Sequence, residues 1–176
     1  MAMDFTVIQA VRQRFGDSNV SDSGPGGGEF GLEQEAPFVG QSKDFRFSCP
    51  RIDPGQMAVL QFESLSVTAG GQFVFNRESS GKRNIVRING TDIPGGITNS
   101  PYVHTPLGIG HFWKTHSLLI PAQVLHDEGN VLHIESIKIP ISGGFTLDNF
   151  IIDNIIVLYK IRVDGVPDPV LDPHPV

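Results

Sequence analysis

The run FIIDNIIVLYKI, residues 150–161, is the longest apolar stretch in the chain, and its reading decides the fold. It falls well short of the roughly 20 apolar residues that a membrane-crossing helix needs, and Asp153, Asn154 and Lys160 interrupt it. Five isoleucines and a valine favour an extended backbone, because branched side chains fit a pleated sheet better than a helix. A near-continuous apolar run of this length reads as a strand central to its sheet.

Outward from that strand, the same character recurs at 4–9, 44–48, 57–68, 72–77, 84–89, 116–120 and 131–139, which makes about eight strands in all. Alternation is plain in three of them. Phe45 and Phe47 share a face, as do Phe73 and Phe75, and Val86 and Ile88 lie opposite Arg87. Between the strands stand Pro54-Gly55, Gly70-Gly71, Ser80-Gly81, Asn89-Gly90, Gly95-Gly96, Gly129-Asn130 and Gly143-Gly144, residues that accept the positive φ of tight turns. Helix is the minority state, and the expected architecture is an all-β sandwich.

Bulk properties fit a single such domain over 1–166. A chain of 176 residues is long enough to bury a core unaided, and its twenty Gly, thirteen Pro and 18% charged residues suit many short strands. Two stretches differ: the Gly-rich loop 16–36, which lacks periodicity, and the tail 167–176, whose prolines cannot donate to a ladder. A formal charge of −6 argues against nucleic acid as a partner. Cys49 is the single cysteine, so no disulfide can form within the chain. The N-terminus lacks the layout of a secretory signal, so the chain is read as cytosolic or as exported with its leader absent.

The segments LLIPAQVLHDEGNVLHIES (118–136), DNFIIDNIIVLYK (148–160) and RNIVRINGTDIPGG (83–96) together resemble galactose-binding-domain-like jelly rolls, including many carbohydrate-binding modules appended to glycosidases. In these a strand ends in an Ile-Pro step, and a short helical turn leads to Gly-Asn before the next strand. Residues 1–56 carry no such resemblance. It implies a jelly-roll sandwich and a lectin-like, non-catalytic role with a glycan as partner. It also implies a structural calcium held by an acidic residue of the last strand, a place that Asp153 occupies, with Asp4, Asp148 and Glu29 as further ligands by composition alone. The other reading of Asp153 is a buried carboxylate held by hydrogen bonds, since a bare one costs several kcal/mol.

The candidate ligand edge is the loop 102–116, where Tyr102, His104, His111, Trp113 and Lys114 concentrate the only Trp and three of the six His, counting His116. Aromatic faces stack on sugar rings while His and Lys supply hydrogen bonds; the competing reading makes Phe112 and Trp113 plugs of the core. His133 and Glu135 share a strand face, either lining a binding surface or simply solvated. Catalytic signals are weak. The histidines at 104, 111 and 116 match no zinc spacing, and no G-x-S-x-G elbow is present. The Gly-rich GPGGGEFG lacks a phosphate-loop ending. Glu63, Glu78, Asp127, Glu128 and Glu135 leave open a glycosidase pair, which only a defined separation would establish. The expectation is therefore a binding module, the alternatives being a structural protein that assembles into oligomers and, last, a small sugar-active enzyme.

Overall fold

The computed structural model describes residues 2–17, 36–67, 69, 82–98, 102–105, 108–141 and 143–162. Among them there is no helix, and so none long and apolar enough to cross a membrane. Fourteen strands form: β1 (Ala2–Gln9), β2 (Gln13–Phe15), β3 (Phe38–Gly40), β4 (Ser42–Phe47), β5 (Ala58–Leu65), β6 (Ile85–Ile88), β7 (Thr91–Asp92), β8 (Tyr102–Thr105), β9 (Gly108–His111), β10 (Lys114–Ile120), β11 (Asn130–Glu135), β12 (Lys138–Ile141), β13 (Gly144–Leu147) and β14 (Phe150–Ile161).

The all-β sandwich expected from the sequence is what the chain forms. Six strands make one sheet in the order β10-β5-β14-β2-β3, with β1 also paired to β14; four make the other in the order β4-β11-β6-β7. The long strands cross between layers in turn, from β4 to β5, β6, β10, β11 and β14. Seven of the eight expected stretches carry a strand; the eighth, 72–77, lies outside the described residues, as do most of the loop 16–36 and all of the tail 167–176. The unforeseen strands are two to four residues long, too short to display a period. Where a helical turn was expected after Ile120-Pro121, the chain makes a non-helical turn with Gln123 at a φ of 69°.

The core lies between the sheets. Leu60, Phe62, Ile152, Val157 and Tyr159 from one meet Phe45, Phe47, Ile88, Leu132 and Ile134 from the other, and Phe15 stacks on Phe150 with ring centres 5.1 Å apart. Each such side chain contributes roughly 1.5–3 kcal/mol through burial.

The central strand β14 runs next to both β5 and β1, as its apolar run foretold. Its polar interruption is a β-bulge. The register to β5 slips between Asp153 and Ile156, and Asn154 takes a φ of 52°. The extra residue turns the inward set from Phe150 and Ile152 to Ile155, Val157 and Tyr159, which a strict two-residue period would have pointed outward. Asn154 suits the left-handed conformation and sits exposed, its amide donating to Glu63 Oε2 at 2.9 Å.

Candidate functional site at the edge of the four-stranded sheet

After β6 the chain reverses at Asn89-Gly90, both at positive φ (51° and 81°), the geometry of a two-residue hairpin turn whose twist matches its strands. Asn89 also donates to Val124 O (2.7 Å) and to Asn130 Oδ1 (2.9 Å), and accepts from Val131 N (2.9 Å), so the turn is locked to the connection leading into β11. The return segment pairs through Ile93 N to Val86 O (2.9 Å), then swings away at Pro94-Gly95-Gly96 and rejoins through Asn84 and Ile97. The swing opens a hollow of about 290 Å³ lined by Arg83, Ile85, Arg87, Asp92, Pro94 and the two glycines, among others.

Both glycines are required there. A Cβ on Gly95 would stand 2.8 Å from Leu118 Cδ2, and one on Gly96 would stand 2.7 Å from Asn84 O, with φ at +105° and +55°. Within the hollow, Arg87 Nε is bound to Asp92 Oδ1 at 2.6 Å. Among the described residues Arg83 makes no hydrogen bond or ion pair, so a guanidinium with five donors is open to a ligand.

The hollow continues onto a polar sheet face. Asp44, His133, Arg87 and Asp92 form one row across β4, β11, β6 and β7. His133 Nδ1 lies 2.7 Å from Asp44 Oδ1, and its Nε2 lies 3.4 Å from Glu135 Oε2. His133 and Glu135 do share a face, half-buried, while Leu132 and Ile134 point into the core.

The loop singled out in the sequence follows the hollow in the chain. It contains the hairpin β8–β9, which pairs Tyr102 with His111 and His104 with Ile109; the side chains of these residues lie outside the described set. Lys114 Nζ donates to Thr98 Oγ1 at 2.7 Å and so ties the start of β10 to a residue two positions after Gly96. Trp113 is half-buried against Ala36, Leu65 and Ile151, with the guanidinium of Arg12 over its ring, 5.2 Å from the centre. Its packing thus engages the opposite, six-stranded sheet.

Arg12 is also the cation that answers Asp153, Nε to Oδ2 at 3.1 Å. The carboxylates considered together in the sequence hold separate places. Asp148 is buried and accepts from Ala69 N and Asn84 Nδ2, whereas Asp4 on β1 accepts from Phe5 N. Glu29 lies outside the described residues. Among the described residues no three His, Cys, Asp or Glu side chains gather as metal ligands.

Nucleophiles offer little. Burial, with the Asp127 carboxylate adding to it and a Thr6 hydrogen bond opposing it, pushes the Cys49 thiol up to about 12, far from the thiolate a nucleophile needs. Ser64 Oγ sits 2.8 Å from His116 Nε2, but both are enclosed and the imidazole stacks on Phe62. Burial, with Lys114 adding to it, brings that imidazole down to about 4. Sequence reading passed over Arg83 and Asp92. The available signal was Arg87 on the polar side of an alternating strand, followed at once by Pro94-Gly95-Gly96.

No family model matches the chain, and no curated protein matches it. Among solved structures it is similar to a β-porphyranase of glycoside hydrolase family 86 from the human gut bacterium Bacteroides plebeius, at 21% identity and a TM-score of 0.37, over 71% of this chain and 18% of that one. At that score and coverage the likeness decides neither fold nor ligand for this chain.

Proposed function

We propose that the chain is a non-catalytic saccharide-binding module whose ligand sits in the hollow between Arg83 and Pro94-Gly95-Gly96. The observation that carries this is the unengaged Arg83 guanidinium in a hollow near the small end of ligand-pocket volumes. Its fork of donors suits paired hydroxyls or a carboxylate, both of which sugars present. Ile85 supplies an apolar surface, and the Arg87–Asp92 pair adds donors and acceptors at the rim. Lys114 reaches Thr98, two residues after Gly96, and the segment carrying Tyr102, His104 and His111 runs between these two positions in the chain, which suits it to extend the site. The resemblance of 83–96 and 118–136 to galactose-binding-like jelly rolls supports the same reading.

The test is a broad glycan array followed by calorimetric titration of whichever oligosaccharide binds. Arg83→Ala is expected to weaken that oligosaccharide at least tenfold with the melting temperature unchanged, because among the described residues Arg83 has no hydrogen-bond or ion-pair partner to lose. Either an array without binders or an Arg83→Ala protein that binds as tightly as wild type would sink the proposal.

A further inference from the structure

The two outer faces of the sandwich are built for different neighbours. Outside the four-stranded sheet runs the charged row of Asp44, His133, Arg87 and Asp92, as on a face meant for water. Outside the six-stranded sheet, Phe5, Leu158, Val59 and Leu119 stand in register across β1, β14, β5 and β10. The next row is Val7, Ile156, Gln61 and Ser117, again without a charge. Met3 lies two residues before Phe5, and Met57 immediately precedes β5. Met3, Phe5, Val7, Met57 and Leu119 are each between 51% and 65% exposed.

From this face we infer that the chain pairs with a second copy of itself, sheet against sheet, about a two-fold axis near the row Phe5–Leu158–Val59–Leu119. Five large side chains more than half exposed present on the order of 500 Å² of apolar surface, the upper end of what monomers leave uncovered. A standard interface takes about 800 Å² per partner, of which this apolar patch by itself supplies more than half, with Gln61, Ser117 and Lys160 at its rim. A self-complementary face needs no second kind of surface. The uncharged centre also suits a molecule of net charge −6, since two copies meet there without opposing carboxylates. Face packing is favoured over strand addition at the open edge because the Phe5 N–H is already taken by Asp4 Oδ1 at 2.8 Å. This inference is independent of the saccharide site, which lies on the other sheet.

The test is sedimentation of the whole chain over a concentration series, with wild type compared to Phe5→Glu/Leu119→Glu. Wild type is expected to dimerise, and the double variant to raise the dissociation constant at least 100-fold while keeping its circular dichroism. Asp44→Ala, on the opposite face, should dimerise as wild type does. A wild-type chain that stays monomeric up to the highest soluble concentration overturns the inference, whatever else covers the face, and so does a dimer indifferent to the double variant. Should that variant fail to fold, Leu119→Ser alone, at an exposed position, is expected to weaken the dimer at least tenfold, and an unchanged dimer there also overturns it.

Discussion

Replacing Asp148 with Ala removes the hub of a buried polar network, and its cost can be worked from the bonds. Asp148 is 1% exposed. Its Oδ2 accepts from Ala69 N at 2.9 Å and from Asn84 Nδ2 at 2.7 Å, while Asn84 Oδ1 accepts from Ile137 N at 3.0 Å. Through these contacts one carboxylate holds the ends of three connections in place. A hydrogen bond to a charged group contributes about 1.5–3 kcal/mol net, and a buried donor left without a partner costs a comparable amount. Two such bonds put the loss for Asp148→Ala at about 3–5 kcal/mol, or on the order of 10 °C in melting temperature for a chain of this size. Urea unfolding followed by Trp113 fluorescence and by circular dichroism measures it. Asp153→Ala is the comparison: its partner Arg12 is 39% exposed, so that solvent-screened pair should contribute only about 1 kcal/mol. Combining Asp148→Ala with Asn84→Ala should cost at least about 1 kcal/mol less than the separate losses added together, since the two share a bond. A loss below about 1 kcal/mol for Asp148→Ala, or strict additivity with Asn84→Ala, would refute the network reading.

Two further outcomes follow from the buried imidazole and the paired glycines. His116 is depressed to about 4 in the folded chain against 6.5 when unfolded, so its contribution is complete above pH 6.5. As pH falls toward 4 the unfolded state takes up a proton that the folded state does not, costing on the order of 3 kcal/mol; His116→Gln should flatten that part of the stability curve, and an unaltered slope would exclude His116 as its source. Gly96→Ala meets both a positive φ and Asn84 O at 2.7 Å, whereas Gly90→Ala has a positive φ and nothing within 4 Å. The first should therefore destabilise the chain by more than the second, which is expected to cost about 1 kcal/mol, and equal losses in urea unfolding would remove the steric argument for how the hollow is shaped.

The sequence by itself determined that this chain is a β-sandwich and where most of its longer strands lie, because side-chain alternation and turn chemistry are local properties. Phe45 and Phe47 turn inward together, and Asn89-Gly90 makes the turn its residues demand. Alternation says which residues share a face; it does not say which face meets the core. In β1 the better-covered set includes Asp4, Thr6 and Ile8, while Met3, Phe5 and Val7 point to solvent, because the register to β14 leaves only one side of that strand over the core. The polar pair Asp153-Asn154 was legible as an interruption, but that it adds a residue and reverses the inward set depends on how β5 and β1 pair with β14. Asp148 and Asn84 lie 64 residues apart in the chain, and only folding brings them within 2.7 Å. The hollow beside Arg83 has the same origin: Gly95-Gly96 announces a turn, yet its depth is set by Leu118 and Asn84 pressing against the two glycines, contacts that tertiary packing alone creates.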